Sequence, residues 1–277
     1  MSQGSLGIDI GGTGVKVARE SGGVWSLGTS DRYQRPTKER LLQALRQACQ
    51  RAAIDANTIS RVGLCVPGIP APDASRIEIA VNVPGLVGWP FKDLVREALG
   101  AEPQRITRLI DADAAANDWH ERHTSPGRSL ALVLGTGVGM CVLDDGSPLR
   151  ITDGGSGHIG QIDVSLAPDA PIGPDAGRGG LEAYLGAPAI LAHGSIEDAF
   201  APGSTATRAL ARAIRIAHAI YRPDRIVLLG GIGIRIRPIA PLDTAIREHL
   251  TSIAKPGWQL LQGDDDHHAA RGAARLA

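Results

Sequence analysis

The sequence carries no excess charge of either sign, since 29 Lys and Arg balance 29 Asp and Glu. Nothing in that balance draws the chain to nucleic acid or to anionic membranes, and neither is expected as a partner. It contains no apolar run near the ~20 residues that cross a bilayer. Met1–Ser5 has no basic region and no apolar region behind it, so no signal peptide is expected. Cysteine is scarce and scattered: Cys49, Cys65 and Cys141 lie far apart and form no C-x-x-C pair. That usage fits a reduced, cytoplasmic protein and excludes a disulfide scaffold. Low-complexity segments and long charge runs are also missing. What is left is an ordinary globular composition, 43% hydrophobic and 21% charged. At 277 residues the chain is too long for one comfortable core and suits two modest domains.

Ser5–Ile10 reads as a short strand, followed by the corner Gly11-Gly12-Thr13-Gly14 and a second strand, Val15–Ala18. After the Ser21-Gly22-Gly23 turn, a third strand around Val24–Leu27 completes a β-meander. Leu41, Leu42, Leu45, Ala48, Cys49 and Ala52 recur at helical spacing and predict an amphipathic helix over 38–54. Strand Arg61–Val66 is stopped by Pro67-Gly68; helix Phe91–Leu99, strand Ile106–Ile110 and a helical Asp111–Glu121 follow. Then the pattern restarts, with strand Ser129–Leu134, a glycine corner at Gly135-Thr136-Gly137-Val138-Gly139 and strand Met140–Leu143. GGTGVKVA and LGTGVGMCV are two copies of one device. Ala167–Gly180 reads as a loop, Thr205–Tyr221 as a helix ended by Pro223, and Ile226–Leu229 as an apolar strand before Gly230-Gly231. A boundary near 118–127 gives an N-terminal α/β domain, 1–117, and a C-terminal α/β domain, 118–268. The last helix, within 269–277, is expected to pack back on the first domain.

A Gly-Thr-Gly turn between two strands exposes successive backbone N–H groups to an anion with no Cβ in the way. Thr13 and Thr136 add hydroxyl donors, Lys16 adds charge, and Asp9 is placed to hold Mg²⁺ through water. A single such corner is as well explained by a tight hairpin. Two matching corners in separate halves, with Gly230-Gly231 after a buried strand, point to phosphate. Two commoner nucleotide patterns fail. The chain has no G-x-x-x-x-G-K-[ST] run, and Gly135–Gly139 opens a strand where a dinucleotide fingerprint would open a helix.

These residues resemble the ROK family (repressors, uncharacterised reading frames and sugar kinases) almost end to end. GIDIGGTGVKVA at Gly7–Ala18 is similar to its first phosphate motif and LGTGVGMCVLDDG at Leu134–Gly146 to its second. IDADAAA at Ile110–Ala116 resembles its catalytic segment, IVLLGGIG at Ile226–Gly233 its nucleoside-side glycine pair, and GAARLA from Gly272 its terminus. The resemblance implies an α/β, two-domain actin-like ATPase (ribonuclease H-like) fold with an inter-domain active-site cleft. It also implies an ATP- and Mg²⁺-dependent, glucokinase-like sugar kinase acting on a hexose, and a homodimer. Gly11, Gly12, Thr13, Lys16, Gly135, Thr136 and Gly137 would then bind the ATP phosphates, with Gly230 and Gly231 at the nucleoside. Asp111 would be the general base, which suits phosphoryl transfer, where a carboxylate accepts the acceptor proton. Read alone, Asp111 is as good an N-cap for Ala112–Ala116. Asp113 stands where the family usually has Asn and is a supporting residue. Gly68, Asn82, His158 and Glu182 fall at sugar-side positions, although a plain turn also explains Pro67-Gly68.

On the acceptor side the sequence departs from the family. Where Gly-Glu-Ile-Gly-His is usual, it reads Gly157-His158-Ile159-Gly160-Gln161. The zinc-binding cysteines are replaced by Gly173, Asp175 and Gly180, so no structural zinc is expected. Ile110 replaces an asparagine that binds sugar; an unpaired buried hydroxyl costs about 1–3 kcal/mol. Two readings stay open: a working kinase with an altered acceptor, which the intact phosphate loops favour, and a catalytically silent ROK-like sugar- or nucleotide-binding protein. The repressor branch carries a helix-turn-helix ahead of the core; with the first motif starting at Gly7 and no net charge, a repressor is not expected. Trp119-His120-Glu121-Arg122-His123 is not H-E-x-x-H and reads as a solvated helix face, and Asp264-Asp265-Asp266-His267-His268 as caps and solvent contacts.

Overall fold

The computed structural model describes residues 4–151, 155–174 and 176–277. Met1–Gln3 and Asp175, named above, lie outside the described residues. The chain divides into two compact units, one running up to Asp118 and rejoined by His267–Ala277, the other Trp119–Asp266.

In the first unit, strands β1 (Gly4–Ile10), β2 (Val15–Ser21) and β3 (Val24–Thr29) form the antiparallel meander. Helix α1 (Lys38–Arg51) leads to β4 (Ile59–Cys65), which pairs parallel to β1. Helix α2 (Phe91–Leu99) leads to β5 (Arg105–Leu109), parallel to β4, giving the order β3-β2-β1-β4-β5. Helix α3 (Asp111–His123) follows directly. Thr37 caps α1 by accepting from Arg40 N at 3.3 Å, and Leu41, Leu45 and Ala48 enter a core with Leu6, Ile8 and Val17. The helix stops at Arg51 rather than near 54, because Ala53 turns to φ 50° and Ile54 N returns to Cys49 O. Ile54 still packs on the core, so the apolar spacing outlasts the helix.

The terminal helix, His268–Leu276, covers the other face of this sheet and explains a set of small residues. A Cβ at Gly7 would sit 1.8 Å from Ala270 O, at Gly63 1.9 Å from Ala273 O, and at Gly272 1.8 Å from Ala114 O. Only backbone fits at these crossings. One buried acid fixes the helix in place: Asp118, fully buried on α3, accepts from His268 Nδ1 at 2.7 Å, Arg271 Nε at 2.9 Å and Arg275 Nε at 3.3 Å.

The second unit repeats the plan. Strands β6 (Arg128–Leu134), β7 (Val138–Asp144) and β8 (Ser147–Pro148) form its meander, with β9 (Arg225–Leu229) parallel to β6 and β10 (Gln259–Gln262) parallel to β9. Their order, β8-β7-β6-β9-β10, matches the first sheet. Between them lie α4 (Leu181–Leu185), α5 (Thr205–Tyr221), α6 (Gly230–Gly233) and α7 (Ile239–Glu248). Ser204 caps α5 through Thr207 N, and its alanine- and leucine-rich face is buried with Leu130, Leu132 and Leu228. Trp119 is buried and stacks on His123 at 4.8 Å, so the segment expected to be a solvated face is solvated only in part. Among the described residues no helix is long and apolar enough to cross a membrane.

Candidate active site

The first glycine corner closes on itself, with Gly11 N donating to Gly14 O at 2.9 Å. Two more of its carbonyls are taken by a residue the sequence did not flag: Tyr33 N donates to Thr13 O at 3.1 Å and Tyr33 Oη to Gly11 O at 2.7 Å. Burial, with the charge of Asp9 adding to it and Arg40 opposing, pushes the Tyr33 phenol far up. It therefore stays protonated and keeps donating. The N–H groups of Gly12 and Thr13 donate to no described residue. Carbonyls tied back and amides left open make a concavity that prefers an anion.

The second corner has the same polarity, built from other parts. Gly135 N donates to Gly137 O at 3.0 Å, and Ala187 N, just past α4, donates to Gly135 O at 3.0 Å and Thr136 O at 3.2 Å. The amides of Thr136 and Gly137 donate to no described residue. Val138 N, next in the chain, is bound by the Glu182 carboxylate at 2.9 Å. Gly230, at φ 76°, packs so closely on Leu134 that a Cβ would lie 2.5 Å from its carbonyl oxygen, which sets the Gly230-Gly231 pair beside this loop.

Pairing in the first sheet gathers the charged residues. Lys16 is the register partner of Asp9, Asp9 of Cys65, and Cys65 of Leu109. Asp111 follows two residues after Leu109, so Lys16, Asp9 and Asp111 stand at one end of one sheet. The buried Cys65 thiol is pushed up by burial and then by the charges of Asp9, Asp111 and Asp113, which places all three carboxylates around it. The sequence predicts a helix that begins at Asp111, directly after the strand Ile106–Ile110. The structure sets Asp111 on the first residue of α3, exposed, with its own carboxylate accepting from Ala112 N at 2.8 Å. That bond satisfies one of the free N–H groups of the helix's first turn. Protein packed around the carboxylate strips part of its hydration and raises its pKa, against the Ala112 N–H; Asp113 adds to the rise and Lys16 opposes it. Contact with solvent and partial desolvation coexist because one side of the group is open and the rest is crowded. Asp113 is buried.

The acceptor-side residues fall in both units. Gly68, at φ 107°, is held against the hairpin of Ile69–Pro70 and Ile77–Ile79, since a Cβ would lie 2.2 Å from Ile79 O. Its glycine is therefore accounted for by a tight turn, and Asn82 is half-buried just beyond. In the second unit His158 is exposed at the head of the turn Ile159–Gln161, and Gln161 is exposed too. Gly160 in that turn abuts the second loop, for a Cβ there would lie 2.8 Å from Val138 O and 3.2 Å from Glu182 Oε2. Among the described residues no group of three or more His, Cys, Asp or Glu converges to hold a metal. Asp264 and Asp265 are engaged with Arg122, and Asp266 with Arg235.

The family model of the ROK family matches residues 5–277. The chain belongs to the ROK family. It is 26% identical to an N-acetyl-D-glucosamine kinase of Erwinia tasmaniensis over 98% of both chains. It is 27% identical to a glucokinase of Thermotoga maritima over 67% of this chain and 58% of that one. A glucokinase of Halalkalibacterium halodurans matches at 28% identity over 60% of this chain and 52% of its own length. The chain thus matches little more than half of either glucokinase. Among solved structures, a ROK hexokinase from Thermus thermophilus is similar at TM-score 0.70 and 24% identity, over 99% of this chain and 97% of that one. A ROK family glucokinase from Streptomyces griseus in complex with glucose and AMPPNP is similar at TM-score 0.74 and 21% identity, over 99% and 98%. At these identities the likeness establishes the fold, and this ROK protein has the two-domain actin-like ATPase fold.

Proposed function

We propose that this ROK protein is an ATP-dependent carbohydrate kinase that moves the γ-phosphate of ATP to a hydroxyl of a hexose. The observation that carries the reading is the matched pair of glycine corners, each with most of its carbonyls tied back and adjacent amides that donate to no described residue. Such loops give charge stabilisation in fixed positions, which is most of what phosphoryl transfer asks of a protein. Gly12, Thr13, Thr136 and Gly137 supply amides to phosphate oxygens, Lys16 supplies charge, and Gly230-Gly231 lies at the nucleoside. Asp111 takes the proton of the acceptor hydroxyl as that oxygen bonds to the γ-phosphorus and the bond to the ADP oxygen breaks. Its raised pKa and its access to solvent both support this role over the buried Asp113.

Mg²⁺ suits this site on its chemistry, since a hard cation is held by carboxylate oxygen, water and phosphates, and Asp9 stands beside Lys16 at the end of the sheet that also carries Asp111. Asp9 would hold it, and the ion would neutralise phosphate charge. On the sugar side, Gly68, Asn82, His158 and Glu182 are the candidates; Ile110 offers no hydrogen bond where the family pattern has asparagine, and His158 one donor and one acceptor where it has glutamate.

ADP release measured with Mg-ATP across hexoses, amino sugars and N-acetylated amino sugars is expected to rise with at least one of them. If no sugar raises it above background, the kinase reading is lost. Nucleotide binding that persists in that case would favour the silent binding protein, the reading the altered acceptor side supports.

A further inference from the structure

Glu182 holds an unexpected position for a sugar ligand. Its Oε2 accepts from Val138 N at 2.9 Å, the amide that follows the second phosphate loop. The same oxygen fills the space beside Gly137, where a Cβ would lie 2.5 Å from it. It also lies against Gly160, where a Cβ would be 3.2 Å away. The main chain of Glu182 joins in: its carbonyl accepts from Gly186 N at 2.9 Å, and the next residue, Ala187, caps the Gly135 and Thr136 carbonyls. The stretch Glu182–Ala187 therefore grips the loop twice, once by the Glu182 side chain and once by the Ala187 backbone.

We infer that Glu182 is a positioning residue for the ATP-phosphate loop Gly135–Gly137. Its carboxylate takes up the Val138 N–H and so turns the strand's first amide away from the ligand, leaving the Thr136 and Gly137 amides as the donors that face phosphate. A charge-assisted hydrogen bond to a main-chain amide is stronger than a neutral one and fixes the loop before the ligand arrives. Gly137 is glycine because the carboxylate occupies the place of its Cβ. The inference rests on the phosphate-loop reading above, and it assigns Glu182 a different task from the sugar contact that family resemblance implies.

Two variants and two measurements test it on the full chain. Glu182→Gln keeps an acceptor for Val138 N–H, whereas Glu182→Ala removes it. In Glu182→Ala, amide hydrogen exchange in a peptide spanning 134–140 should speed up, and MgADP affinity by titration calorimetry should fall about tenfold, equal to roughly 1.4 kcal/mol. Glu182→Gln, with a neutral acceptor in place of the charged one, should stay within about threefold of wild type in MgADP affinity and exchange more slowly than Glu182→Ala. Gly137→Ala pushes the carboxylate away and should copy Glu182→Ala, with no added loss in the double variant, as coupled neighbours behave. Unchanged exchange and MgADP affinity in Glu182→Ala would overturn the assignment. So would a Glu182→Gln variant that loses sugar affinity as fully as Glu182→Ala while the loop stays protected. A wild-type chain that binds no MgADP removes the phosphate-loop reading, and the exchange result by itself then decides whether Glu182 holds the loop.

Discussion

Asp111 and Tyr33 show what single side chains do here. Replacing Asp111 with Asn keeps the size and removes the proton acceptor, and turnover should fall at least ~10²-fold. Near-normal turnover would move the base to another group, Asp113 first. The raised pKa of Asp111 carries a sign. The base works when deprotonated, so kcat/KM should fall as pH drops through a value above the ordinary carboxylate range, and a pH profile flat down to pH 4 would contradict it. Tyr33→Phe deletes the donor to Gly11 O and should cost the first loop about 1 kcal/mol of order, seen as a several-fold higher KM for ATP with the sugar KM unmoved.

At the scale of elements, the terminal helix and α3 form one joint. Asp118 is fully buried with three basic partners, and burial, which raises its pKa, is outweighed by hydrogen bonds from His268 and Arg271 and their charges, so the net shift is downward. Asp118→Ala takes the one carboxylate acceptor shared by His268, Arg271 and Arg275 out of a buried cluster and should cost about 3–5 kcal/mol, read as a lower thermal midpoint or insoluble protein. Gly272→Val, aimed at the carbonyl of Ala114, should weaken the same joint. Asp111 lies on the helix that the joint fixes, so the milder Asp118→Asn should lower kcat as well as stability.

For the whole molecule, two buried groups, His218 and Asp118, make stability rise with pH, while the raised pKa of Asp111 acts in the opposite direction. His218 on α5 is buried against Trp258 at 4.8 Å, and neither ring nitrogen has a hydrogen-bond partner among the described residues. Desolvation, then the charges of Arg247 and Arg222, lowers its pKa. The unfolded chain therefore takes up that proton first, and stability is full above about pH 6.5 and declines below it. Asp118, with its lowered pKa, adds stability above about pH 4 that is lost in stronger acid. The thermal midpoint should be lower at pH 5.5 than at pH 7.5, and His218→Phe should shrink that difference.

Much of this was legible along the chain because it depends on local rules. Glycine corners between short strands, helical spacing in Thr205–Tyr221 and the doubled GTG pattern each follow from neighbours in sequence, and the two sheets that result share one strand order. Asp9, Lys16 and Asp111 stand out in the sequence by type and by motif, and strand pairing sets them at one end of one sheet. Other features were not readable, because they depend on distant segments meeting. Tyr33 reaches back to Gly11, Ala187 and Glu182 reach back to Gly135–Val138, and Asp118 meets a helix some 150 positions later. The sequence by itself determined the loops and the donors they offer. Only the tertiary structure decided which backbone groups were tied back and which stayed open, since a hydrogen bond across such separations exists only once the core has packed.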